Sequence, residues 1–357
     1  MRAHLACLIA AAVLATGCSA VGPQTIPRDR SDYIEGISES WKHQMLINLV
    51  KTRYSDVPVF LDITSAISSY TFETSVTATG TVSLPGAALE NDSASVGARG
   101  AFTDRPTITY NPLTGDKFAK SLMTPIPPTA LLSLIQAGWS PRLLLRCCVH
   151  SVNGLRNYSQ RGAVSQPVDP GFVQLLDAVE RIQRAGGLGM RLVREKDGSG
   201  TLLSLHPGPS GQLAADVAEA RRLLGLAPEN EDLSVTYGIR PADDQEIALL
   251  TRSMLEILLD MSSYIEVPAS HVAENRAGRG FDDVGAAATG IDRLIRVHSS
   301  KEAPADAFIA VKYRDHWFWI DDRDFQSKGV FTFLMFLFTL TETGGGQTAP
   351  VITVPAG

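Results

Sequence analysis

Asp321, Asp322 and Asp324 fall within four residues, with Arg323 among them and Asp315 and His316 shortly before. Carboxylates this close, at the end of an apolar strand, can hold a hard cation or act as acid and base. Asp321, Asp322, Asp324 and His316 are therefore the candidate catalytic residues. A structural role competes, because Asp322 or Asp324 would cap the helix that follows, where an acidic group meets the positive end of the helix dipole. Arg323 would then pair locally. Other chemistries lack their residues. There is no GxSxG elbow, and Gly208-Pro209-Ser210-Gly211 has the wrong spacing; it reads as a helix cap with Ser210 accepting from backbone amides. Gly186-Gly187-Leu188-Gly189 follows a helix rather than a strand, so it reads as a helix end, and no Walker lysine occurs. His43, His150, His206, His271, His298 and His316 are scattered, without HExxH or paired ligand spacing. No cofactor and no metal are expected.

The other residue with its own chemistry is Cys18. Arg2 and His4 begin the chain, Leu5 to Leu14 is an apolar run, and Ala15-Thr16-Gly17-Cys18 follows. A basic start, an apolar segment too short to span a bilayer and small residues before a cut make a signal-peptide layout. Leu14-Ala15-Thr16-Gly17-Cys18 resembles the lipobox of bacterial lipoproteins, with Ala15 in the slot the leucine usually takes. The resemblance implies that the Cys18 thiol is diacylated, the chain is cut before it and the new amine is acylated. Each buried acyl methylene contributes about 0.8 kcal/mol to anchoring. Ser19 after the cysteine, rather than aspartate, implies the outer membrane, with the protein facing the periplasm. Cys7 would leave with the signal, so Cys147 and Cys148 are the remaining thiols. They lie in Leu143–Val149, which reads as a strand and places them on opposite faces as small buried hydrophobes.

These residues need positioning by the rest of a 357-residue chain, 44% hydrophobic and of formal net charge −6. That length suggests two domains and a substantial core. The acidic balance leaves no surplus of lysine and arginine to displace counterions, so no nucleic-acid partner is expected. Residues 1–17 read as the signal, 18–30 as a lipidated tether, and Ser31 as the cap of a helix to about Tyr54, with Ile34, Ile37, Trp41, Met45 and Leu49 at helical spacing. From Tyr70 to Leu84 apolar and polar residues alternate, predicting a strand of about 50 Å. Pro85-Gly86 and Glu90-Asn91-Asp92 turn the chain into a returning strand to Phe102, which would place Phe102 near Phe72. This long hairpin either lies on the protein's own helices or joins hairpins of other copies in a shared barrel. A proline-rich connecting layer, with short helices at 118–123 and 129–137, completes residues 31–142.

For 143–240 the elements read β-α-β-β-α-β, which predicts a ferredoxin-like core in an α+β protein. Its parts are Leu143–Val152, a helix from Asp169-Pro170 to Gly186-Gly187, Met190–Arg194, Thr201–Leu205, a helix containing Leu213 to Leu224, and Leu233–Tyr237. Residues 241–342 read as a C-terminal layer. A long helix from Pro241 would carry Ile247, Leu250, Met254, Leu258 and Met261, and Ala277–Gly290 reads as a mobile loop. Strands at 294–298, 308–313 and 317–320 follow, the last two joined across Arg314-Asp315, and then a buried helix over Val330–Phe338. Residues 343–357 read as a flexible tail.

Two blocks carry a further likeness. They are Pro106–Gly115 running to Thr124-Pro125-Ile126-Pro127-Pro128, and Tyr313–Asp324. With Ser40-Trp41-Lys42 and the lipobox, they resemble a family of uncharacterised Gram-negative lipoproteins to which no activity attaches. The expected role is a non-enzymatic envelope scaffold or assembly subunit. The expected partners are the membrane, through the N-terminal lipid, and an envelope protein or further copies of the chain. An oligomeric pore using the 70–104 hairpin, and an enzyme using Asp321–Asp324, are the alternatives.

Overall fold

In the computed structural model of the protein, residues 26–67, 70–81, 93–104, 107–161, 164–195, 198–208, 211–228, 232–284 and 290–341 are described. The signal and lipidation readings, including Cys7 and Cys18, lie outside them, as do the 82–92 turn, Ser210 and the glycine-rich tail. The described residues mix helix and strand, as expected of an α+β chain. They divide into two units, 1–39 with 60–113 and 40–59 with 114–357.

Helix α1, Ile26–Arg53, begins five residues before the expected cap. Pro27 sits in its first turn, where a missing N–H costs nothing, and the Ser31 hydroxyl bonds back to the Pro27 carbonyl at 3.0 Å instead of capping. The expected tether is thus helical from Ile26. Ile34 and Ile37, at helical spacing with Met45 and Leu49, are exposed, and burial begins at Met45.

In the first unit, β1 (Leu61–Ile67) pairs antiparallel with β4 (Thr107–Pro112). The second of these strands lies in the expected proline-rich connecting layer, where Thr107-Ile108-Thr109-Tyr110 are strand formers set between two prolines. Between them in sequence, β2 (Tyr70–Thr81) and β3 (Ser93–Asp104) make a regular ribbon, from Tyr70 opposite Asp104 to Thr81 opposite Ser93. Twelve residues a strand give about 40 Å, and Phe72 stands opposite Phe102 as the pattern predicts. Glu73, Ser75, Thr77, Arg99 and Ala101, all on the odd-numbered face, are exposed. Among the described residues neither strand has a second strand partner.

The second unit opens with α2 (Asp116–Met123), α3 (Pro128–Gln136) and α4 (Pro141–Cys148). The last of these corrects the strand reading of 143–148. The Ser140 hydroxyl accepts from the Leu143 amide and Pro141 fills the first turn, so the leucine run enters a helix. Cys147 and Cys148 end that helix, fully buried and with no disulfide between them. Only β5, Val149–Val152, remains extended. It turns through Asn153-Gly154, both at positive φ, into β6, Leu155–Arg156. This dipeptide suits the tight turn of a hairpin. The short ribbon β7 (Ser159–Arg161) and β8 (Val164–Gln166) precedes α5, Pro170–Arg184. Gly186, at φ 73°, ends that helix as expected. The hairpin β9 (Leu188–Glu195) and β10 (Gly198–Leu205), helix α6 (Gly211–Leu224) and β11 (Asp232–Tyr237) follow.

Where one long helix was expected from Pro241, the chain forms β12 (Glu246–Thr251) and then α7 (Met254–Ser262). Helical spacing of Ile247, Leu250 and Met254 masked a strand buried on both faces, and Ser253 with Glu256 closes a capping box that starts the helix afresh. This strand also decides the topology. The sheet order is β6-β5-β12-β11-β10-β9, so β12 lies between β5 and β11. A ferredoxin-like sheet would set the first and third strands of the β-α-β-β-α-β run, β5 and β10, side by side. Here β10 pairs with β9 and β11, so that pairing is absent, and β6, β7 and β8 stand between β5 and α5. One sheet face packs Val152, Leu205, Ile247 and Leu249 against Leu175 and Leu224 of the two helices.

Helices α8 (Ala269–Ala273) and α9 (Phe281–Val284) lie in the stretch that leads through the expected mobile loop. Its described part is held: Phe281 packs 4.9 Å from the Tyr264 ring and 5.4 Å from Tyr158, and Arg53 donates to the Gly278 carbonyl at 2.6 Å. A second sheet contains β13 (His298–Ser300), β14 (Ala307–Tyr313) and β15 (His316–Asp321). Arg314 and Asp315, both at positive φ, make the expected tight turn between the last two strands. Helix α10, Phe325–Thr341, buries Phe331, Phe333, Leu334 and Leu337. No described helix is long and apolar enough to cross a membrane.

Candidate functional site

The acidic cluster does not assemble with His316. That histidine begins β15 and Asp321 ends it, five steps or about 17 Å along an extended strand. Asp315 shares the turn end with His316, away from the acidic cluster. Each carboxylate of the cluster has a structural partner. Asp321 accepts from the Arg323 amide at 2.8 Å, and Asp322 pairs with Lys328 at 2.7 Å. Asp324 accepts from the Ser327 amide at 3.0 Å and hydroxyl at 2.6 Å, capping α10. Burial pulls the Asp324 carboxyl upward, but these two bonds and the charges of Arg296 and His298 outweigh it, leaving the group below its ordinary range. Arg323 reaches Asp306 at 2.8 Å.

His316 lies elsewhere, its ring 5.1 Å from that of His271. The Tyr54 hydroxyl is 2.7 Å from His271 Nδ1, and the Arg314 guanidinium sits 4.9 Å over the Tyr54 ring. Burial pulls the His271 imidazole below its usual range, and the charges of His316, Arg276 and Arg314 push the same way against Glu274. This cluster fastens the C-terminal end of α1 to the β14–β15 turn, with Arg314 also on Asp56 at 3.0 Å.

A larger concavity forms where sequence reading gave no signal. A cleft of about 980 Å³ opens at the carboxyl ends of β11 and β12, the strands of the six-stranded sheet that run parallel. Crevices at the carboxyl ends of parallel strands are preferred ligand sites. Segments from Met123 to Glu256 converge on it. His150 and Ser151 come from β5, Arg156 from β6, Tyr237, Ile239 and Arg240 from the end of β11 and its loop, Leu250 and Thr251 from β12, and Ser253 and Glu256 from the start of α7.

Most charges in the cleft are matched. Arg156 forks onto Asp169 at 3.1 and 3.2 Å, which holds that carboxyl below its usual range. His150 Nε2 is 3.3 Å from Glu256, whose other oxygen accepts from the Ser253 amide at 3.0 Å. Arg240 is exposed and has no hydrogen-bond or ion-pair partner among the described residues. Two hydroxyls in the wall, Ser151 Oγ and Thr251 Oγ1, are buried without a hydrogen-bond partner among the described residues, in residues 4% and 1% exposed. Buried polar groups are nearly always paired, so two orphans in one cleft are unusual.

Behind the cleft lies a buried ion pair. Arg252, between two cleft residues, meets Asp260 at 3.0 Å and donates to the Arg146, Cys147 and Tyr158 carbonyls. Asn157 donates to the Leu145, Arg146 and Val149 carbonyls, so together these side chains satisfy the buried C-terminal end of α4. Asp260 also accepts from the Gln160 amide at 3.1 Å. Burial pushes the Tyr158 and Tyr264 phenols well up, and the Asp260 charge adds to it. Among the described residues no group of three or more His, Cys, Asp and Glu side chains is arranged to hold a metal ion. Compared with family models, curated proteins and solved structures, the chain has no match.

Proposed function

We propose that the protein is a lipid-anchored subunit of a bacterial envelope assembly, held at the outer membrane through Cys18 and joined to further copies of itself through the β2–β3 ribbon. The observation that carries this reading is that neither outer edge of that ribbon has a strand partner among the described residues. A strand edge presents unpaired N–H and C=O groups that template pairing with another chain, and proteins ordinarily blunt it with proline, charge or cover. Tyr70–Thr81 and Ser93–Asp104 contain no proline and, along their lengths, only Glu73, Arg99 and the terminal Asp104 as charges. An isolated two-stranded ribbon is marginal in water. Pairing the β2 edge of one copy with the β3 edge of the next removes both liabilities and generates a ring or a line of ribbons. The Ser- and Thr-rich odd face is the one such an assembly turns to water. The lipobox-like start supports the anchor, and the likeness to uncharacterised lipoproteins supports the envelope.

Cysteine cross-linking in cells tests this. Ser75 and Arg99 are exposed on opposite strands, and the native Cys147 and Cys148 are buried. Cells expressing Ser75→Cys and Arg99→Cys chains together are expected to give oxidised dimers joining one chain of each kind. No disulfide between chains, across these and the neighbouring pair Thr77→Cys and Ala101→Cys, contradicts the reading.

A further inference from the structure

The cleft at the carboxyl ends of β11 and β12 carries features that assembly through the ribbon does not use. We propose that it binds a short peptide ending in a free carboxylate. The size of the cleft, its charge and its lining converge on this ligand. The cleft, at about 980 Å³, lies at the top of the size range of small-ligand sites and has room for several residues. Its charges leave a single cation, because Asp169 matches Arg156 and Glu256 matches His150, whereas Arg240 has no partner among the described residues. Glu256 also occupies the amino end of α7, which directs an incoming anion to Arg240. In a chain of net charge −6, an arginine without a partner among the described residues in this cleft selects a single negative group.

The remaining lining explains why the carboxylate belongs to a peptide. Ser151 Oγ and Thr251 Oγ1 each need a partner that can accept or donate, and peptide amides provide both at regular intervals. Met123, Tyr237 and Ile239 are more than half exposed at the rim, an apolar border suited to side chains of the ligand. The Arg252–Asp260 pair beneath fixes Thr251 and Ser253 before any ligand arrives, so little ordering accompanies binding.

The test uses the full chain and a panel of N-acetylated tripeptides with free carboxylates, each set against its own C-terminal amide, with acetate as a bare carboxylate. Binding is read by calorimetry and by the shift in melting temperature. The expected result is a subset of tripeptides that bind at least about tenfold tighter than their amides and than acetate. Arg240→Gln abolishes the preference for acid over amide. Thr251→Val, which removes an orphan hydroxyl at constant shape, weakens tripeptide binding about tenfold while raising the melting temperature of the ligand-free protein. The proposal is overturned if no tripeptide outcompetes its amide, if acetate binds as tightly as the tripeptides, or if Arg240→Gln leaves the preference intact. A Thr251→Val protein that melts lower without ligand would also overturn it, since the hydroxyl then has a partner within the fold.

Discussion

Asp260→Asn isolates the ion pair that supports the cleft, because it keeps the shape of the side chain and removes its charge. The Arg252 guanidinium is 1% exposed and Asp260 6% exposed, at 3.0 Å. At an effective dielectric of 20, opposite unit charges at that distance attract by about 5 kcal/mol. The asparagine oxygen still accepts from the Gln160 amide, and three carbonyls still accept from the stranded guanidinium, so part of that energy is retained. Removing one partner of a buried pair costs about 3–5 kcal/mol, and the surviving bonds put this case near 3. With a urea slope of about 3 kcal/mol per molar for a chain of this size, the unfolding midpoint falls by about 1 M. Tryptophan fluorescence during urea titration follows it. Arg252→Met combined with Asp260→Leu strands no charge and is expected to recover most of the loss. A midpoint within about 0.3 M of the parent for Asp260→Asn would refute the reasoning, since the pair would then be solvated rather than buried.

The acidic cluster is expected to behave as a cap. Asp324→Ala lowers stability by about 1–2 kcal/mol and Asp324→Asn by much less, whereas Asp322→Ala, which loses an exposed ion pair, stays within about 0.5 kcal/mol; denaturant titration separates them. Asp324 is also held below its ordinary range, so its contribution is full above the unfolded carboxylate value and is lost as pH falls through the lower folded value. His271 responds to acid in another window. Its folded imidazole binds a proton less readily than the unfolded one, so stability declines as pH drops below about 6.5, and His271→Gln flattens that slope in melting curves from pH 7.5 to 5. Cys147 and Cys148 are fully buried, and burial together with the hydrogen bond between them pushes the Cys148 thiol up, so neither reacts with an aromatic disulfide reagent until the protein unfolds.

The parts of the fold written in short-range chemistry were legible. The alternation from Tyr70 and the returning strand gave the ribbon and the pairing of Phe72 with Phe102. Gly186 ended its helix, Arg314-Asp315 made its turn, and an aspartate capped α10. Apolar runs without a marker misled. Leu143–Cys148 is equally apolar as helix or strand, and the deciding residues were Ser140-Pro141 just before it. The spacing of Ile247, Leu250 and Met254 matched one helix across what is a strand, a break and a second helix, and Ser253 with Glu256 was the overlooked sign. Asn153-Gly154 was a hairpin signal that also went unread. Inserting β12 between β5 and β11 is a choice among strand partners, which local pattern does not encode. The cleft was illegible for the same reason, since Met123, Ser151, Arg240 and Thr251 meet only through the sheet.

Self-assembly through the ribbon is the central claim, and the mass of the native protein, extracted from cells in detergent, tests it most directly. Size-exclusion chromatography with light scattering is expected to give one discrete oligomer, and a monomer when residues 70–104 are replaced by a short glycine-serine turn. A native protein that is monomeric, or an oligomer whose mass per chain count survives loss of the ribbon, contradicts the claim.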